Sequence, residues 1–159
     1  MKFRTALLPL CMLTSAPAFA DTRGFEVRDM VALDRVSSPT LSPDGSVVVF
    51  AKHVMDKDVV KASTGLWMRN LLTRDMVPPR QFTPEGWNVN SPAFSPDGKS
   101  LYFLSAKSGS MQLYSIPVAG GEPTRLTDTA VDVDGYKLSP DGTRVALALQ
   151  FAGYAALLL

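Results

Sequence analysis

Leu41-Ser42-Pro43-Asp44-Gly45-Ser46-Val47-Val48-Val49-Phe50 joins a four-residue turn signal to an apolar run rich in β-branched residues. The tetrapeptide Ser-Pro-Asp-Gly returns at Ser95 and at Ser139. Leu101-Tyr102-Phe103-Leu104 follows the second copy, and Val145-Ala146-Leu147 follows the third. Each residue suits a turn. Serine can bond its own backbone two residues on, and proline presets φ for a type I turn. Glycine takes a left-handed conformation at low cost, and aspartate caps the backbone. A type I turn ending in a left-handed residue is a common three-residue hairpin loop with a bulge. Ser38-Pro39-Thr40-Leu41 leads into the first turn and Ser91-Pro92-Ala93-Phe94 into the second, so each turn is expected to join two antiparallel strands.

The alignment extends beyond the hairpin. Leu66-Trp67 matches Leu113-Tyr114 as a third strand, and Gln81-Phe82-Thr83 matches Arg125-Leu126-Thr127 as a fourth. The turns are 53 and then 44 residues apart. Six of the nine extra residues fall between Phe50 and Leu66, and three between Leu66 and Phe82. Both insertions are assigned to loops, where extra length is tolerated. From Thr83 to Ser95 and from Thr127 to Ser139 the spacing is 12 in each case. Repeats of about 40–50 residues carrying four strands each indicate propeller blades. The fold class expected is all-β: a partial β-propeller of about two and a half blades spanning residues 38–149. The third blade begins near Tyr136. Residues 150–159 form an atypical tail ending on bare leucines, and the expectation there is a reading frame truncated or shifted near Gln150.

The start of the chain has a different character. Lys2 and Arg4, the apolar stretch Ala6 to Leu13, and Ala18-Phe19-Ala20 make residues 1–20 a signal peptide cleaved between Ala20 and Asp21. The apolar stretch is too short for a transmembrane helix of about 20 residues. Cys11 follows the bulky Leu10, so no lipid anchor is expected, and the mature chain has no cysteine for disulfide or thiol chemistry. Residues 21–37 form a leader in which Phe25 to Asp34 is expected to make a short helix, with Met30, Leu33 and Phe25 on one side. Sixteen basic and 15 acidic residues leave a net charge of +1, with no basic cluster for nucleic acid or an anionic membrane.

The leader and first blade together carry a resemblance. Phe25-Glu26-Val27-Arg28-Asp29-Met30, Leu33, Arg35-Val36-Ser37-Ser38-Pro39 and Leu41-Ser42-Pro43-Asp44-Gly45 resemble the mature N-terminus of bacterial exported prolyl oligopeptidase family serine peptidases, of the dipeptidyl aminopeptidase or acylaminoacyl-peptidase type. The similarity runs over about residues 25–149. It implies a seven- or eight-bladed propeller that limits which short peptides reach a following α/β-hydrolase domain with a Ser-Asp-His triad. The catalytic domain is expected to lie outside this chain. No G-x-S-x-G occurs, no catalytic residue is carried onto any position, and no cofactor or metal is implied. Peptide substrates would be met through the missing domain, and this chain alone is expected to be inactive. The blade motif is shared with the periplasmic propeller TolB, a protein-binding module. Seventeen residues of leader are too few for the α/β domain that TolB places before its blades. A propeller metal-dependent lactonase would need acids or histidines near the axis in successive blades, a pattern not seen here.

Individual residues read plainly. His53, the single histidine, is placed at a strand end or loop. Asp132-Val133-Asp134-Gly135 resembles part of a calcium loop, but Ala130 and Asp141 stand where that pattern needs an acid and a glutamate, so an inter-blade loop is expected. Trp67, in the slot of Tyr114, is assigned to the core; Trp87, in the Pro84–Asn88 loop, is the candidate for a rim contact. An unclosed stack of blades leaves a strand edge and an apolar face uncovered, so poor folding or self-association is expected of the chain alone.

Overall fold

A computed structural model describes residues 24–56, 61–73, 77–151 and 154–158. The expected signal segment, with its cleavage between Ala20 and Asp21, lies outside the described residues. The described chain forms three antiparallel sheets in sequence order. The first holds β1 (Arg35–Leu41), β2 (Val47–Asp56), β3 (Lys61–Asn70) and β4 (Arg80–Gln81). The second holds β5 (Val89–Phe94), β6 (Ser100–Ser105), β7 (Gln112–Pro117) and β8 (Thr124–Arg125). The third holds β9 (Val133–Leu138), β10 (Val145–Phe151) and β11 (Tyr154–Leu158). One helix, α1 (Val27–Ala32), precedes them, and Asp29 accepts the backbone N–H of Glu26 at 2.9 Å across its first turn. Phe25, Met30 and Leu33, expected on one side of it, are all exposed.

The three turns are near-copies. Gly45, Gly98 and Gly142 sit at φ +71°, +70° and +70°, and their N–H groups donate to Ser42, Ser95 and Ser139 carbonyls at 2.8, 2.9 and 2.9 Å. The serine, however, does not bond its own backbone two residues on. Its hydroxyl donates to the turn aspartate, Asp44 or Asp97 at 2.6 Å, and likewise Asp141. The same oxygen accepts the N–H five residues on, at 2.9 Å in every copy. The aspartate then accepts the N–H of Ser46, Lys99 or Thr143. Serine and aspartate thereby satisfy donors that a tight turn would otherwise leave to solvent.

Strand register confirms the alignment and revises its details. Phe50 pairs with Trp67 as Phe103 pairs with Tyr114. The fourth strands contain only two residues each, but the ladder continues into them through side chains. Thr83 Oγ1 accepts Leu66 N–H, and Thr127 Oγ1 accepts Leu113 N–H, both at 2.9 Å. The insertion after Phe50, expected as a loop, lengthens the two strands on either side of residues 57–60. β2 and β3 each run ten residues where β6 and β7 run six, because the inserted residues pair with one another through Asp56↔Lys61. The third blade begins at Val133, before Tyr136, and the tail continues it: Ala155↔Gln150 and Leu158↔Leu147 bring β11 against β10. The inner strands β1 and β5 bulge at Ser38-Pro39 and Ser91-Pro92, where proline supplies no N–H and both serines take φ near +50°.

Alternation along each strand divides the core into two layers. Val49, Ala51, Leu66 and Met68 of the first sheet meet Leu101, Phe103, Tyr114 and Ile116 of the second. Leu104 and Leu113, on the second sheet's other face, meet Val133 and Leu149 of the third. The central strands of the second sheet, β6 and β7, with a sheet on each side, therefore bury residues of both faces. The first sheet's opposite face has no described sheet against it.

Candidate functional site

That unpartnered face carries a cavity of about 600 Å³, lined by Asp34, Lys52, Trp67, Gln81 and Glu85 among others. Period-two alternation puts Phe50, Lys52 and Val54 of β2 on this face, and antiparallel pairing brings Trp67 and Gly65 of β3 beside them. Lys52 is held twice. Its ammonium is 2.7 Å from Asp34 Oδ2 and 4.5 Å from the centre of the Trp67 ring. One partner meets the ammonium with direct opposite charge and the other with its negative ring face.

Counting from the turn shows why a cavity forms here. Asp34 lies eight residues before Ser42, as Trp87 lies eight before Ser95; Lys52 lies ten after Ser42, as Ser105 lies ten after Ser95. In the second blade Trp87 fills the space over its own sheet, with its ring 5.2 Å from Tyr114 and 6.4 Å from Phe103. Ser105, fully buried, donates to the Trp87 carbonyl at 2.5 Å. In the first blade an aspartate and a lysine occupy those two positions, and their smaller volume leaves the space open. The result joins a paired cation, carboxylates, an amide and an aromatic ring. These are groups suited to recognition.

The two tryptophans thus exchange the roles expected of them. Trp87 is packed between blades, whereas Trp67, in the slot of Tyr114 as expected, lines the cavity because no described sheet covers it. His53 lies within β2, not at its end, and its Nδ1 is 3.0 Å from Thr64 Oγ1 on the neighbouring strand. It shares the face of Val49 and Ala51, opposite the cavity. Asp132 accepts the N–H of Met111 at 2.7 Å and so ties the second blade to the third, while Val133 to Gly135 already belong to β9 and are not loop. The turn aspartates act as backbone caps. Ser42 and Ser46 hold the Asp44 carboxyl down at about 2, and Ser139 with Thr143 does the same for Asp141, also about 2. Asp97 is lowered by Ser95 and the Lys99 N–H. Burial raises the Tyr136 hydroxyl well above its usual range, and it donates to the Ser91 carbonyl at 2.7 Å, linking the inner strands of the second and third blades. Sequence reading passed over Asp34 and Lys52. The signal that finds them is their register relative to the turn.

Residues 53–153 match the family model described as the dipeptidyl peptidase IV (DPP IV) N-terminal region. The chain belongs to the dipeptidyl peptidase IV N-terminal region family. Among its relatives, the uncharacterized peptidase YuxL of Bacillus subtilis is 30% identical over 122 residues, 76% of this chain and 18% of that protein. Dipeptidyl-peptidase 5 of Porphyromonas gingivalis is 36% identical over 115 residues, 72% of this chain and 16% of that protein. TolB of Francisella tularensis is 37% identical over 67 residues, 42% of this chain and 15% of that protein. Among solved structures, the β-propeller domain of the trilobed protease from Pyrococcus furiosus superposes with a TM-score of 0.56 at 17% identity, covering 72% of this chain and 33% of that one. The three sheets are therefore β-propeller blades, from the N-terminal propeller of a prolyl oligopeptidase family peptidase. The chain spans under one fifth of the length of the curated relatives it matches.

Proposed function

We propose that this chain is the N-terminal propeller region of an exported serine peptidase that hydrolyses short peptides, with the propeller limiting which peptides reach a separate hydrolase domain. What supports the reading is the extent of the peptidase similarity. The two peptidase relatives match over 122 and 115 residues, against 67 for TolB. The excess over the TolB match means that more than a shared blade repeat is held in common. The described residues provide a packed scaffold and a recognition cavity, and hydrolysis would belong to an elbow serine and its triad elsewhere.

The test is an assay of the full-length gene product on dipeptidyl and acyl-amino-acid chromogenic substrates, with and without a serine-directed inhibitor. Inhibitor-sensitive release is expected. No hydrolysis of either substrate class, or hydrolysis that survives the inhibitor, would sink the reading. A second reading, a TolB-like periplasmic protein-binding module, draws on the 37% identity to TolB. It expects stable capture of a periplasmic protein and no peptide hydrolysis. Export is tested separately. The signal segment leads to a mature chain that begins at Asp21, and intact-mass measurement of periplasmic protein should show the loss of residues 1–20. A protein retained at full length in the cytoplasm would count against it.

A further inference from the structure

The sequence contains four Asp-Gly pairs: Asp44-Gly45, Asp97-Gly98, Asp134-Gly135 and Asp141-Gly142. Such pairs are open to a main-chain reaction, because glycine has no Cβ to shield its own nitrogen. The glycine nitrogen attacks Cγ of the aspartic acid. A C–N bond forms, and the carboxyl OH leaves as water with the amide proton. Water then opens the five-membered succinimide. Addition at Cγ restores aspartate, whereas addition at the main-chain carbonyl leaves isoaspartate, whose main chain is longer by one carbon. The ring closes only when the carboxyl is protonated, the glycine N–H is released from any acceptor, and Cγ swings over the nitrogen.

The three turns oppose each of these steps. Gly45, Gly98 and Gly142 N–H groups are committed to serine carbonyls at 2.8, 2.9 and 2.9 Å. One oxygen of each turn carboxylate is fixed between the serine hydroxyl and the N–H two residues on. The donors also keep Asp44 and Asp141 at about 2, so near pH 7 their protonated fraction is on the order of a hundredfold below that of a free aspartate. Packing between turns adds to this. A Cβ placed on Gly98 would lie 3.3 Å from Pro43 Cδ, and one on Gly142 would lie 3.2 Å from Pro96 Cδ, so the proline of each turn seats on the glycine of the next.

Asp134-Gly135 is placed differently. Asp134 is exposed, and its carboxylate has no hydrogen-bond or ion-pair partner among the described residues. It is also the extra residue of a bulge. Val133 pairs with Leu149 and Gly135 with Ala148, so nothing stands opposite Asp134 and the ladder is disrupted beside Gly135. A Cβ on Gly135 would meet only Ala148 Cβ, at 3.9 Å, an ordinary contact.

We propose that Asp134-Gly135 is the site at which the folded chain forms isoaspartate, and that the serine of each turn guards the Asp-Gly pair that follows it. The product lengthens the main chain of β9 just before Tyr136. The hydroxyl of Tyr136 holds the Ser91 carbonyl at 2.7 Å, so the junction of the second and third blades is where such damage acts. The motif Asp132-Val133-Asp134-Gly135 thereby has a chemical consequence that needs no metal ion.

Incubating the full chain near neutral pH in water enriched with heavy oxygen, then mapping its peptides by mass, reads each pair separately. Every passage through the succinimide adds one labelled oxygen. Label and isoaspartate are expected at Asp134 at least about tenfold faster than at Asp44, Asp97 or Asp141. In urea the four pairs should react at similar rates, because the difference lies in the fold. Ser42→Ala removes one guard and should speed the reaction at Asp44 about tenfold, with Asp97 and Asp141 unchanged. Equal rates at all four pairs of the folded chain overturn the proposal, as does an Asp134 that gains no label while the unfolded chain does. So does a Ser42→Ala variant whose Asp44 reacts no faster, or one in which all four pairs accelerate together.

Discussion

The turn carboxylates make acid stability a property of single residues. Asp44 and Asp141 hold values of about 2 in the folded chain because hydroxyl and amide donors stabilise their charged forms. Unfolded, each returns to about 3.9. A lowered folded value means stability that is fully present above about pH 4 and is lost as the pH falls toward about 2. Thermal melts of the Asp44→Asn/Asp141→Asn double variant should therefore lose less between pH 4 and pH 2 than the wild type. An equal acid loss in both would exclude this origin. Gly98 is the other sensitive residue of the turn. An alanine there must adopt φ +70° and also press its Cβ on Pro43, so Gly98→Ala should cost about 1–2 kcal/mol from the left-handed strain alone, and more from the contact. Urea unfolding measures it, and a neutral result would refute the seating of proline on glycine.

At the scale of the element, the short outer strands depend on side chains to finish their ladders. Thr127 accepts Leu113 N–H and donates at 2.8 Å to Gln112 Oε1, which is itself buried and also accepts the N–H of Thr129 at 3.1 Å. Thr127→Val keeps the shape but strands the Leu113 donor, and a buried unsatisfied donor costs about 1–3 kcal/mol. Hydrogen exchange at Leu113 should accelerate in that variant before global unfolding, and an unchanged protection factor would exclude the bond's contribution. The alignment of Gln81-Phe82-Thr83 with Arg125-Leu126-Thr127 was legible in sequence because threonine stands at the same register in both. The ladder extension in β2 and β3 was not. Asp56 and Lys61 read as part of a solvated loop, yet they pair with each other across β2 and β3, because antiparallel pairing accepts polar residues as readily as a loop does.

Over the whole molecule, the contrast between Trp87 and Trp67 measures what neighbouring sheets contribute. Trp87→Ala empties the packing over Phe103 and Tyr114 between two blades, and should cost about 3 kcal/mol or more. Trp67→Ala removes a ring from the open face and should cost the monomer far less, below about 1 kcal/mol. Denaturant midpoints make the comparison, and equal losses would contradict the packing described. Trp87 precedes its turn by eight residues and Trp67 stands opposite Phe50 across the hairpin, but local sequence records the slot and not what covers it.

The chain's sequence by itself determined the repeat, the hairpins and the order of strands within each blade. Those follow from φ preferences at proline and glycine, hydroxyl and carboxylate capping, and period-two alternation, all of which act over a few residues. It also supported the family resemblance. Tertiary structure alone decided which side of each strand is covered, that Lys52 and Asp34 replace the Ser105–Trp87 packing of the second blade, and that proline of one turn lies on glycine of the next. Those contacts join residues tens of positions apart, and burial is a property of the neighbour that arrives, which no single repeat encodes.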